Sequence, residues 1–262
     1  MLFLLYINDI GYSVCSSPIR LFADDTNLFL YGKLIEDLQS DASRNIILLH
    51  NWFIANKLSL NIEKTCYSLF GATETEKSKF QLNIGDVVLH QVECFKYLGV
   101  FIDSELTWQQ HIEYIYSKIV KFTSIFYKIR HKLNFQVLRM LYFAFVHPHL
   151  LYGIEIYGNT YQKHLHKLII LNNKILRVLQ NVPYDTPVVK LYADFFTMPL
   201  PDLHRFQILQ FVHKFIHHPH KLPSIFSTYF SKNYMFHNYS TRSQDSLHSE
   251  YFRSSLGQRC IR

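Results

Sequence analysis

The run LFADDTNLFLY at residues 21–31 constrains the chain more than any other stretch. Two short apolar runs bound an Asp-Asp-Thr-Asn cluster, which reads as a β-hairpin, because Asp and Asn tolerate a turn while their neighbours fill the strands. Asp24 and Asp25 then stand side by side at the tip, where their mutual repulsion lowers the stability of a bare hairpin. A divalent cation cancels that charge. Mg²⁺ takes oxygen ligands and is held by one or two carboxylates together with substrate phosphates. A solvated Asp-Asp turn is the alternative.

Around this hairpin the chain alternates between helical and extended patterns. Residues 1–10 are apolar and read as the last turns of a buried helix, and residues 15–20 as a connecting loop. Over residues 33–56, Leu38, Ala42, Ile46, Leu49 and Phe53 recur every three or four positions, predicting an amphipathic helix. Residues 58–70 read as an extended entry and a strand, and residues 72–79 as a polar loop. A second hairpin turns at Gly85-Asp86, and FKYLGVFID at 95–103 is a further strand. Residues 108–133 give the clearest helix, with Ile115, Ile119, Phe122, Phe126, Ile129 and Leu133 on one face. Helices are expected over residues 134–146, 149–157, 161–180 and 202–217, followed by an irregular tail.

Charge separates the function classes. The formal balance of +7 favours polyanionic partners. Between Ile115 and Gln180 there are ten Lys and Arg against the single acid Glu155, which places the excess on the helical section. Lys118, Lys121, Lys128 and Lys132 share a narrow arc of the 108–133 helix. Such a stripe is either a solvated face or a surface that tracks a phosphate backbone. The four cysteines form no CxxC pair and read as reduced thiols, without a zinc knuckle. The neighbouring histidines at 147/149, 164/166 and 217/218/220 lack a carboxylate or Cys at ligand spacing, so no metal is assigned to them. Residues 1–10 lack a basic leader and a cleavage site and are too short to span a bilayer. The expectation is an intracellular protein, nuclear or cytoplasmic, without a membrane partner.

Phe22-Ala23-Asp24-Asp25 between apolar strands resembles the catalytic hairpin of reverse transcriptases. MLFLLYINDI, NKLSLNIEKT and FKYLGVFIDSELTWQQHI are similar, in the same order, to segments of the non-LTR, LINE-type retrotransposon enzymes. The resemblance implies an α+β fold: a partial polymerase palm over residues 1–105 (catalytic hairpin, helix, antiparallel strands), a helical thumb over 106–182, and a helical or irregular extension over 183–262. It implies RNA-directed DNA polymerisation by two-metal nucleotidyl transfer, with Asp24 as the main Mg²⁺ ligand and Asp25 supporting it. Lys64 becomes a candidate phosphate contact, with a solvated surface lysine as the alternative. Tyr97, Leu98 and Gly99 become a primer grip in which Gly99 admits close backbone approach. RNA template and DNA primer are the implied partners.

The same resemblance implies truncation at both ends, before a PQGS-like segment and after TRSQDSLHSEYFRSSLGQRCIR. The family's third carboxylate comes from an upstream strand, and neither Asp9 nor Asp103 falls on it. The expectation is therefore a reverse-transcriptase fragment that does not polymerise DNA by itself. A non-catalytic module binding RNA or primer–template, and a decayed transposon remnant, are the alternatives.

Overall fold

The computed structural model describes residues 2–14, 18–226, 229–236, 242–248, 251–253 and 257. The chain divides into two units, Met1–Phe95 and Lys96–Arg262.

In the first unit, α1 (Leu2–Tyr6) is helical but not buried: Leu2 is 84% exposed and Leu5 72%. This corrects the buried helix expected over residues 1–10. The side chains that turn inward are Ile7 and Ile10, and Ile10 packs with Val14 and Leu49. Strands β1 (Ile19–Phe22) and β2 (Asp25–Leu28) form an antiparallel hairpin. Strand β1 starts inside the segment expected to be a loop, of which residues 15–17 lie outside the described residues.

Helix α2 (Ile35–Ala55) buries Ala42 and Leu49 and half-buries Leu38 and Ile46, the inward stripe expected from their spacing. Glu36 and Asp37 in its first turn face the positive end of the helix dipole. It closes with Lys57 in the left-handed region (φ 53°). The Lys57 N–H donates to Ile54 O at 3.0 Å and the Leu58 N–H to Phe53 O at 2.9 Å, the closure most often built on glycine.

The strand expected within residues 58–70 shrinks to β3 (Cys66–Tyr67), because a turn at residues 61–65 occupies the rest. The polar loop expected over 72–79 contains α3 (Glu74–Lys79). Its cause is a capping box: the Glu76 N–H donates to Thr73 Oγ1, and Glu76 Oε2 accepts the Thr73 N–H at 2.7 Å. Strands β4 (Asn83–Ile84) and β5 (Val87–Val88) form the expected hairpin, and β6 (His90–Gln91) pairs parallel with β3. Ala42, Leu69, Phe80, Leu82, Ile84 and Leu89 form the core here.

The division between units runs through β7 (Cys94–Tyr97), which forms a hairpin with β8 (Val100–Asp103). Helix α4 (Gln109–Ile129) carries the expected apolar face: Ile115, Ile119 and Phe126 are buried, and Phe122 and Ile129 lie against the core. Leu133 falls beyond the helix end and is exposed. Helix α5 (Phe135–Phe145) opens where Asn134 Oδ1 accepts the Val137 N–H at 2.9 Å. The His147-Pro148 pair that ends α5 begins α6 (His147–Leu151), because proline fits the first helical turn.

Helices α7 (Ile154–Tyr157) and α8 (Gln162–Gln180) follow. Helix α9 (Val188–Phe195) has no counterpart in the sequence reading, and α10 (Leu200–His217) extends two residues before the expected start. Leu191, Tyr192, Phe195, Leu200 and Leu203 share one core with residues of α4 to α8, so the helical body runs from α4 to α10 without a break at residue 182. At roughly 1.5–3 kcal/mol for each large apolar side chain, this shared core is the main source of its stability. Beyond α10 the described residues form short 3-10 turns, matching the irregular tail expected. Among the described residues no helix is long and apolar enough to cross a membrane. The C-terminal resemblance at 241–262, and Cys15 and Cys260, lie wholly or partly outside the described residues.

Candidate catalytic hairpin and nucleic-acid interface

Phe22 and Asp25 are the last paired residues of the β1–β2 hairpin, so Ala23 and Asp24 make the turn. Ala23 sits in the left-handed region at φ 51°, which costs an alanine about 1–2 kcal/mol. Strain of this kind concentrates where a side chain must be aimed. Here it aims two carboxylates outward: Asp24 and Asp25 are both exposed, and among the described residues neither side chain takes part in a hydrogen bond or ion pair. Phe22 is 59% exposed, and the hairpin is a two-stranded sheet in which neither strand has a second neighbour among the described residues.

Four uncommitted carboxylate oxygens suit a hard dication such as Mg²⁺. The fit is partial, since no group of three or more His, Cys, Asp or Glu side chains comes together among the described residues. Asp9 does not join the pair; it precedes the 3-10 turn at Ile10–Tyr12 and makes no capping bond. Asp103 is fully committed elsewhere. Its Oδ1 accepts the Thr107 N–H at 2.8 Å and its Oδ2 the Trp108 N–H at 2.7 Å, closing the loop in which Leu106 and Trp108 adopt positive φ.

Lys64 is exposed, in the turn where its N–H donates to both Asn61 O and Asn61 Oδ1 at 3.2 Å. Its ammonium has no partner among the described residues, and no contact joins it to the carboxylates.

Tyr97 ends β7, as the expected strand requires, whereas Leu98 and Gly99 form a two-residue turn within it. Leu98 (φ 45°) and Gly99 (φ 87°) connect β7 to β8. Glycine serves two needs here. It takes the left-handed conformation, and a Cβ at this position would come within 3.2 Å of the Tyr152 ring. The Tyr152 hydroxyl donates to the Leu98 carbonyl. Sequence reasoning missed Tyr152, which stands some fifty positions away without a motif around it.

The lysine arc is partly as expected. Lys118, Lys121 and Lys128 lie on α4, with Lys118 half-buried and the other two exposed; Lys132 falls in the turn after it and is exposed. Lys118 lies over the Tyr114 ring at 5.2 Å and Lys121 over Phe122 at 5.9 Å, which braces two flexible stems against the helix. Lys167 on α8 reaches Glu113 at 3.5 Å, whereas Lys163 and Lys174 extend the exposed positive surface along α8. On α4, His111 is buried against Tyr114 and Tyr157, 2% exposed. Burial pushes its imidazole down to about 4, so it is neutral near pH 7 and adds nothing to the positive field.

Comparison with known proteins sets this geometry in context. No family model matches the chain, and no solved structure matches it at a significant level. Among curated proteins, the RNA-directed DNA polymerase from mobile element jockey of Drosophila melanogaster is 28% identical over 170 residues, covering 63% of this chain. Its Drosophila funebris counterpart is 27% identical over 169 residues. The chain is related to retrotransposon reverse transcriptases. A probable RNA-directed DNA polymerase from transposon X-element of Drosophila melanogaster extends the similarity to 74% of the chain, at 22% identity. The chain spans about a fifth of the length of these reverse-transcriptase relatives, between 18% and 22%.

Proposed function

We propose that the chain is the C-terminal palm and thumb portion of an RNA-directed DNA polymerase, and that these 262 residues hold primer–template without extending it. The observation that carries this reading is the Asp24–Asp25 pair, exposed beside a strained Ala23 turn with no partner on either carboxylate among the described residues. The sequence similarity to retrotransposon polymerases supports the assignment.

In the complete polymerase Asp24 and Asp25 would hold Mg²⁺, which when bound lowers the charge barrier to phosphoryl transfer. The chain's own part is to present those carboxylates on a rigid turn. Two adjacent carboxylates leave two dications under-neutralised, and this supports the inactivity of the chain alone. Lys64 is placed as a phosphate contact, and Tyr97, Leu98 and Gly99 as the primer grip. The helical unit contributes affinity through Lys118, Lys121, Lys128 and Lys132. RNA and primer phosphates are the natural partners for a segment that carries ten Lys and Arg against one acid over residues 115–180.

A titration of an RNA–DNA hybrid from about 50 to about 200 mM salt tests the binding half of this reading, because each phosphate contact adds about 0.9 to the log–log slope. A steep slope that flattens when the four lysines become glutamine supports it. A slope unchanged by those substitutions removes the helical face from the interface.

A further inference from the structure

The geometry points to Tyr152 as a positioning residue that locks the Leu98–Gly99 turn, beside Tyr97, in the shape needed to seat a primer end. This deepens the primer-grip reading and rests on it. Leu98 is a non-glycine residue held at φ 45°, and Gly99 follows at φ 87°. Two left-handed residues suit a two-residue hairpin turn, but Leu98 is not a glycine and carries the cost of that conformation. Tyr152 supports the turn from the junction of α6 and α7. Its hydroxyl donates to the Leu98 carbonyl, and its ring edge lies 3.2 Å from where a Gly99 Cβ would stand. The junction is itself tightly set. The Tyr152 N–H donates to Pro148 O at 3.0 Å, and Gly153 (φ 70°) lies where a Cβ would come within 3.2 Å of Val100 Cγ2.

The brace therefore ties the turn to the helical body at the Leu98 carbonyl, while Gly153 lets the same junction lie close against Val100. Tyr152 is also 56% exposed, so it supports little of the core and can be altered without unfolding the unit. Its role is to hold a backbone shape, and contact with nucleic acid is left to the turn.

Tyr152→Phe in the full 262-residue chain isolates the hydroxyl. Amide exchange at residues 97–100 is predicted to rise roughly tenfold, the effect of one lost hydrogen bond, while exchange within α4 stays unchanged. In parallel, affinity for a hybrid with a recessed 3′ end is compared with affinity for a blunt hybrid. The expected result is a preference for the recessed end in the unaltered chain that falls at least threefold in Tyr152→Phe, with blunt-end affinity unaffected. A preference retained in full overturns the positioning role alone. Unchanged exchange at residues 97–100 overturns the brace itself. An unaltered chain indifferent to the recessed end overturns the grip reading and the positioning role together, whatever the exchange data show.

Discussion

The Tyr142 hydroxyl donates to Asn172 Oδ1 at 3.0 Å, with both side chains about 1% exposed. Asn172 Nδ2 in turn donates to the Tyr192 hydroxyl at 3.0 Å, and that hydroxyl donates to Asn173 Oδ1 at 2.8 Å. Three helices, α5, α8 and α9, are thus pinned by one polar chain inside an apolar core. Burial pushes the Tyr192 phenol up to about 12, so it stays a neutral donor at any ordinary pH. Asn172→Ala removes the acceptor of the Tyr142 hydroxyl and one of the two partners of the Tyr192 hydroxyl and leaves a cavity, and is expected to destabilise the helical unit by roughly 2–4 kcal/mol. Tyr142→Phe, which strands only Asn172 Oδ1, is expected to cost about 1–2 kcal/mol. Urea unfolding of both variants checks the order.

Asp103 closes the loop before α4 with both carboxylate oxygens. Asp103→Ala is expected to cost about 1–2 kcal/mol, because two backbone donors lose an ionised acceptor. Thermal melts measure the loss. Mg²⁺ affinity, followed by titration calorimetry, is expected to be unchanged, since both Asp103 oxygens are already taken by backbone N–H groups.

Lys57 occupies a left-handed helix-closing position with an exposed side chain. Lys57→Gly is expected to raise stability by about 0.5–1 kcal/mol, the relief of left-handed strain outweighing the extra freedom of the unfolded chain. Phe196, 72% exposed at φ 54°, closes α9 in the same way. Phe196→Gly is expected to gain less, because Arg139 lies over the Phe196 ring at 5.7 Å.

These closures explain what could and could not be read from the sequence. Helix α2 and the inner face of α4 were legible because their apolar spacing is regular and packing follows it. The limits of the helices were harder. Glycine is scarce, and Lys57, Asn181 and Phe196 stand in the left-handed positions where a glycine would have signalled an end. Helix α9 was missed for that reason, lying between Pro187 and a terminating phenylalanine. Strand β3 fell short of its expectation because Asn61 captures the N–H of Lys64 and starts a turn. In the candidate site, the hairpin and its exposed Asp24–Asp25 pair followed from local chemistry, although the turn falls on Ala23 and Asp24 with Asp25 already in β2. The Tyr152 brace depends on a contact across more than fifty residues and left no local trace.

Acid is expected to weaken the fold through histidine. Burial holds the His111 imidazole down at about 4 against an ordinary 6.5, and lowers His147 and His204 as well. Between about pH 6.5 and about pH 4 the unfolded chain binds protons that the folded chain refuses, so stability is full above that window and falls through it. His111→Phe is expected to flatten the part of the fall due to His111. Urea midpoints measured across that range give the slope.

Primer extension by the purified chain tests the central claim most directly. The chain is mixed with primed RNA, dNTPs and Mg²⁺, and hybrid binding is followed in the same reaction by gel shift. The primed hybrid is expected to be bound at low salt, with the primer not lengthened. Extension that disappears in Asp24→Ala would contradict the claim that these 262 residues do not polymerise alone, and absence of hybrid binding would contradict the nucleic-acid role itself.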